Sequence, residues 1–208
     1  MTARVERLTT EGIFSLDGQD FEVENNVWIV GNDDEVVIVD APHDADAILS
    51  AVSGRRVVAI ACTHAHNDHV NAVADVVAVT GAPAYLCPED TMLWEAVNGG
   101  LPFVPLNDAD RLEVAGTVLE ALHTPGHSPG GMCFHARELG IVFTGDTLFC
   151  GGPGATGRSY SDFPTILDSI RERLLTLPPD TRVLTGHGDE TTIGAEAAAY
   201  DDWVSRGH

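Results

Sequence analysis

A layered α/β fold, with β-sheets packed in the middle and helices outside, is what this sequence predicts. Three observations point there. Short β-branched runs alternate with helical stretches along the chain, hairpin signals occur among the strands, and 208 residues, 44 % of them apolar, suffice for a sizeable core. No low-complexity linker or internal repeat divides the chain, so residues 1–208 are expected to form one domain. The order of strands and helices by itself leaves a doubly wound sheet open.

The elements follow in order. "NNVWIV" and "EVVIVD" read as neighbouring strands joined by the turn "GNDD". "DADAILSAV" reads as a helix with Asp44 or Asp46 near its cap. "RRVVAIACT" is a buried strand running into a histidine cluster, and "HVNAVADVVAV" a helix ended by Gly81 and Pro83. "APAYLC" is a strand, and "PEDTMLWEAV" a helix with proline at its start. "NGGLPFVPLNDAD" is rich in turn residues and reads as a loop; whether residues 98–110 cover a pocket is open at this point. "RLEVAGTVLEALHT" looks like a hairpin, and "GMCFHAR" and "IVFTGD" like strands. "DFPTILDSIRERLLTL" is amphipathic, with Ile166, Ile170, Leu174 and Leu177 at helical spacing. "TRVLTGH" is a last strand and "AEAAAYDDWV" a last helix. Trp94, Phe103 and Tyr160 are read as core residues rather than pocket walls.

Composition narrows the function. The net charge of −21, from 11 basic and 32 acidic residues, repels nucleic acid and anionic membrane surfaces. All the basic residues are arginine, which excludes a Schiff-base lysine and a Walker-type phosphate loop. No apolar run approaches a membrane span or a signal peptide, so the cytoplasm is the expected location. Cys62, Cys87, Cys133 and Cys150 form no C-x-x-C pair and read as reduced thiols, mostly buried, rather than redox or zinc-thiolate groups. Cys62 and Cys150 flank the site described next and are candidate wall residues.

The chemistry starts at "THAHNDH", residues 63–69, which holds three of the nine histidines. His64 and His66, two apart on a segment leaving a strand, project to the same side and can reach one ion. Asp68 and His69 fall where the chain enters a helix, pointing about 100° apart, which suits a second ion beside the first. The helical zinc-protease motif H-E-x-x-H is absent. Three later segments repeat one pattern, an apolar run and then a ligand-type residue beside glycine: His127 in "LHTPGHSPG", Asp146 in "IVFTGDTLF" and His187 in "VLTGHGDE". Singly, each is readable as a solvated turn. Together they make five histidines and two aspartates, the tally for two four-coordinate ions sharing a bridging carboxylate.

Through "THAHNDH", "HTPGH", "GDTLF" and "TGHG", in that order and across roughly residues 20–190, the sequence resembles the metallo-β-lactamase fold hydrolases. The resemblance implies an αβ/βα sandwich: two packed mixed β-sheets flanked by helices, with metals at one edge. It implies that His64, His66 and His127 hold a first metal, that Asp68, His69 and His187 hold a second, and that Asp146 bridges them. "GDTLF" and His69 point within that superfamily to the glyoxalase II group, the hydroxyacylglutathione hydrolases. Asp40 matches an aspartate that supports a ligand from behind, with a strand-end cap as its other reading; His123 is placed as a supporting or packing histidine.

The implied reaction is hydrolysis of a small-molecule thioester by a metal-bound hydroxide, with Asp68 orienting it and a thiolate leaving without acid assistance. The implied cofactors are two divalent ions, Zn2+ first, with Fe2+ or Mn2+ admitted because nitrogen and oxygen ligands do not separate them. Two departures bear on the substrate. The basic residue expected soon after "GDTLF" is Arg158, twelve positions past Asp146 and beyond the glycine-rich "GGPGATG"; a surface salt bridge is its other reading. The chain ends about twenty residues after His187, so the helical domain that grips glutathione in glyoxalase II is not expected, and another small thiol carrier is. The same motifs also resemble those of persulfide dioxygenases, which would use one iron on His64, His127 and Asp146. A lactonase or another ester hydrolase, or a non-catalytic binding protein, would share the scaffold. Oligomeric state is open.

Overall fold

A computed structural model describes residues 3–207. Its frame is two six-stranded sheets packed face to face, which decides against a single doubly wound sheet. The first sheet runs β1 (Arg4–Leu16), β2 (Gln19–Gly31), β3 (Glu35–Val39), β4 (Arg56–Ala61), β5 (Ala84–Leu86) and β6 (Val104–Pro105) in spatial order. The second contains β7 (Arg111–Val114), β8 (Thr117–His123), β9 (Met132–Ala136), β10 (Ile141–Gly145), β13 (Arg182–Thr185) and β14 (Thr191–Thr192), ordered β14-β13-β10-β9-β8-β7. The short pair β11 (Leu148–Phe149) and β12 (Gly152–Pro153) stands apart.

Alternation along the strands makes three apolar layers. Trp28, Val30, Val37 and Val39 point one way from the first sheet and meet Leu119, Ala121, Phe134 and Phe143 of the second. The opposite faces of the same strands, through Val27, Ile29, Val36, Ile38 and Ile60, pack on the helices α1 (Ala45–Val52), α3 (Val73–Thr80) and α4 (Thr91–Asn98). The outer face of the second sheet, including Cys133, Val142 and Val183, is covered by α5 (Phe163–Ser169) and by Trp203 of α7 (Tyr200–Arg206). Helices therefore lie on both outsides, as the αβ/βα reading requires.

Local chemistry accounts for most boundaries. Asp44 caps α1 by accepting from Ala47 N at 2.9 Å, and Asp162 caps α5 the same way through Thr165 N at 2.8 Å. Gly81 ends α3 in the left-handed conformation.

Several elements differ from the reading of the sequence. The N-terminal segment is one arm of a long β1–β2 hairpin turned at Asp17–Gly18, a pair whose positive φ suits a tight hairpin turn. The helix expected over residues 69–79 is split into α2 (Asn67–Val70) and α3, because the α2 backbone is tied to the site: Ala72 N bonds Ala41 O and His69 O accepts from Ala41 N. The amphipathic helix continues past Ser169 as a π-helical turn over Ile170–Leu174, which keeps Ile170 and Leu174 in the core. The last helix divides into α6 (Ile193–Ala197) and α7. Residues 98–110 hold the edge strand β6 and bury Leu106 between the sheets. Trp94 and Phe103 pack together at 5.6 Å, whereas Tyr160, expected in the core, is half exposed at 50 % in a left-handed turn. Cys62, Cys87 and Cys133 are buried, and Cys150 is exposed. Among the described residues, no helix is long and apolar enough to cross a membrane.

Candidate metal centre

Strands β3 and β4 run in parallel, as do β8, β10 and β13, the first of these by way of antiparallel β9. Their carboxyl ends therefore open on one edge of the sandwich, and five loops meet there. Asp40 follows β3; His64, His66, Asp68 and His69 follow β4; His127 follows β8, Asp146 follows β10 and His187 follows β13. Two glycines make the approach possible. A Cβ on Gly186 would lie 2.3 Å from Asp146 Oδ1, and one on Gly145, at φ 47°, would lie 2.6 Å from Thr63 Cβ.

All seven predicted ligands converge. His64 Nε2 and His127 Nε2 each lie 3.0 Å from His66 Nδ1. His187 Nε2 lies 3.2 Å from His69 Nε2 and 3.3 Å from Asp68 Oδ2. Asp146 stands between the two groups, 3.6 Å from His127 Nε2, 3.5 Å from His187 Nε2 and 3.3 Å from His69 Nε2. The donor atoms of His64/His66/His127, of Asp68/His69/His187 and of His64/His69/Asp146 form sets that each fit within 4.8 Å.

Outer partners set the ring protons. A carbonyl can only accept, so the bonds from His127 Nδ1 to Ala155 O at 2.8 Å and from His187 Nδ1 to Glu24 O at 2.7 Å put a proton on each Nδ1 and turn each Nε2 inward. Asp40 does the same for His69, whose Nδ1 it meets at 2.9 Å. Asp40 is itself fixed by Thr63 N and Thr63 Oγ1, both at 2.7 Å.

Charge differs across the site. Burial holds His64 well below its usual range and His66 down at about 3, so both rings are neutral lone-pair donors near pH 7. Burial would also lower His69 and His187, but Asp146 and Asp68 outweigh it: His69 is pushed well up and His187 to about 10. In return, His187 and His69 hold Asp146 well below the carboxylate range against the opposing effect of burial.

Metal ions fit this donor set. His66 Nε2, Asp68 Oδ1 and Asp146 Oδ1 are buried without a hydrogen-bond partner, and three ring nitrogens face one another where at most a few protons could be shared. Buried carboxylates and inward imidazole lone pairs at this density are satisfied by cations.

The sequence profile of the metallo-beta-lactamase superfamily matches residues 21–187. The chain belongs to this superfamily. It is 35 % identical to the probable metallo-hydrolase YqgX of Bacillus subtilis, over 84 % of this chain and 90 % of that one. It is 32 % identical to the hydroxyacylglutathione hydrolase GloC of Haemophilus influenzae, over 83 % and 90 %. Among solved structures, TTHA1623 in a di-iron-bound form superposes with a TM-score of 0.76 at 36 % identity, covering 84 % of this chain and 93 % of that one.

Beside the superfamily's His/Asp cluster lies a cavity of about 290 Å³. Phe14, Phe21 and Val23 of the β1–β2 hairpin form its apolar wall, and Arg158 stands at its rim. The Arg158 guanidinium lies 4.5 Å from the Phe21 ring centre and 5.6 Å from that of Phe14. Residues 98–110, Cys62 and Cys150 do not line it. His123 touches none of the seven converging residues: β8 directs it toward Pro129 O, at 3.0 Å, and Glu89.

Three residues of the site escaped the sequence reading. Asn25 Nδ2 donates to Asp68 Oδ2 at 3.1 Å and lies 3.3 Å from both His69 Nε2 and His187 Nε2, while its Oδ1 meets His43 Nε2 at 2.9 Å. Two adjacent asparagines opening a β-branched strand were the available signal. Asp90 accepts from Ala65 N, Ser128 Oγ and Gly130 N at 2.9, 2.8 and 2.6 Å, clamping the His64–His66 loop to the His127 loop. Nothing local marks Asp90; only the fold brings residues 65 and 130 to it.

Proposed function

We propose that this superfamily member is a dinuclear metallo-hydrolase of the glyoxalase II type, cleaving a thioester of a small anionic thiol carrier. The observation that carries the reading is Asp146 standing between two complete triads, within 3.6 Å of His127 on one side and of His69 and His187 on the other. His64, His66 and His127 would hold one divalent ion, and Asp68, His69 and His187 the other. Bound there, such ions supply an activated water at neutral pH and Lewis-acid polarisation of a carbonyl.

The chain's own residues do the rest. Asp68 keeps Oδ2 on Asn25 and His187 and presents Oδ1 free of partners, an acceptor that can orient the attacking water's proton. Phe14, Phe21 and Val23 shield the cavity on one side and exclude bulk water from the acyl carbon. A thiol leaves as thiolate with an ordinary pKa of about 8.5, so no general acid is needed. Arg158 is the cation at the rim; the Asp17 carboxylate, bonded to Ser159 N at 3.1 Å, feels its charge, and its guanidinium over the Phe14 and Phe21 rings is placed to meet a substrate carboxylate. The hydroxyacylglutathione hydrolase relative supports a thioester substrate.

The test is metal analysis of the purified protein together with turnover of a hydroxyacyl-glutathione thioester, with and without chelator. Two metal equivalents and chelator-sensitive thioester cleavage are expected. One iron per chain and oxygen uptake on a persulfide would overturn the reading in favour of a dioxygenase. Lactone or phosphodiester turnover without thioester turnover would overturn the substrate class.

A further inference from the structure

On the far side of the Asp90 clamp, Cys87, Glu89 and His123 form a separate donor cluster. The Cys87 Sγ, a Glu89 carboxylate oxygen and a His123 ring nitrogen all lie within 4.8 Å of one another. We propose that these three residues form a second, independent binding site for a transition-metal ion such as Zn2+, joining the first sheet to the second. A tetrahedral zinc has its ligand atoms about 3.5 Å apart, given bonds of roughly 2.0–2.3 Å. The cluster therefore needs only a small closing movement, and Glu89, whose side chain is 59 % exposed, is free to make it.

Three features prepare the site. Cys87 receives the backbone N–H of Glu89 at its sulfur, a bond that favours the thiolate. His123 Nε2 donates to Pro129 O at 3.0 Å and stands 3.4 Å from the Glu89 carboxylate, so the ring is already tethered beside Glu89; an ion taken on Nδ1 leaves that bond in place, and one taken on Nε2 displaces its proton. Sulfur, imidazole and carboxylate together are the donors of zinc-type sites, whereas hard cations take oxygen alone. Burial keeps the Cys87 thiol above its ordinary value, so loading releases one proton as the Sγ–metal bond forms; no electron transfer is involved. A water completes the fourth position.

The placement suggests a purpose. Cys87 follows β5 and caps the turn Pro88–Asp90 that holds Glu89, and His123 ends β8, four residues before His127. An ion here would tie the turn that carries Asp90 to the end of β8 that leads into the His127 loop, and so steady the triad of His64, His66 and His127 from behind.

Co2+ makes the site visible. The seven ligands of the main centre are nitrogen and oxygen donors, so a thiolate-to-cobalt charge-transfer band in the near ultraviolet can arise only at a cysteine. Full-length protein is exchanged into Co2+ and titrated, with its visible d–d absorption reporting the main centre. The expected result is a near-ultraviolet band saturating at one extra equivalent per chain, lost in Cys87→Ser with the visible absorption retained. Glu89→Gln, on an exposed side chain that folding does not need, is expected to weaken the extra equivalent by about tenfold or more. Absence of the band, its persistence in Cys87→Ser, or unchanged Co2+ affinity in Glu89→Gln would overturn the proposal, whatever the thioesterase assay shows.

Discussion

Arg158 shows how one side chain acquires a role from its surroundings. Most of the described arginines are paired with carboxylates, among them Arg4, Arg55, Arg56, Arg171, Arg173 and Arg182. Arg158 instead rests on two phenylalanine rings at the rim of the cavity. A charged hydrogen bond is worth roughly 1.5–3 kcal/mol, so Arg158→Ala is expected to raise KM for an anionic thioester by about 10- to 100-fold with kcat little changed. Steady-state kinetics against a neutral thioester, which should show no such rise, checks it. The histidines carry a second prediction. His66 is neutral down to about pH 3, whereas His187 holds its proton up to about 10. A cation taking the His187 lone pair must displace that proton, so loading of the Asp68/His69/His187 triad should release more protons than loading of the other triad, and should tighten as pH rises. Calorimetric metal titration in two buffers of different ionisation enthalpy measures this directly.

At the scale of elements, the site is a consequence of strand direction. Parallel-running strands end on the same edge, so the residues just past β3, β4, β8, β10 and β13 are neighbours in space though far apart in sequence. The loops must also approach one another closely, which is why Gly186 lacks a side chain. In Gly186→Ala the new methyl would press on Asp146 Oδ1 and His69 Cε1. The expected outcome is loss of at least one metal equivalent with secondary structure retained, read by metal analysis and circular dichroism. The cap of α1 is separable from all of this. Asp44→Ala removes one acceptor and should cost about 1 kcal/mol of stability without changing metal content.

For the whole molecule, the two sheets are held by a shared apolar layer in which Phe134 and Phe143 are fully buried. Phe134→Ala is expected to destabilise by about 3–5 kcal/mol in denaturant unfolding, a large part of a typical domain's stability. Across the edge of that layer, Asn26 N bonds Gly186 O at 2.8 Å and Trp28 Nε1 bonds Thr185 O at 2.9 Å, so the first sheet directly supports the loop that carries His187.

Much of this was legible beforehand, for a local reason. Apolar runs flanked by glycine and followed by His or Asp mark strand ends on their own, and the H-x-H-x-D-H spacing needs only six residues to declare a metal site. The sequence by itself therefore determined the layered class, the superfamily and the seven side chains that the structure brings together. Only the tertiary structure decided what depends on long-range contact: that Asn25 reaches Asp68, His69 and His187, that Asp90 clamps two loops, that the β1–β2 hairpin supplies the cavity wall under Arg158, and that Cys87 and Glu89 meet His123. Such contacts join residues tens of positions apart, some within one sheet's loops and some across the two sheets. Their partners are chosen by how the sheets stack, and no spacing along the chain encodes that.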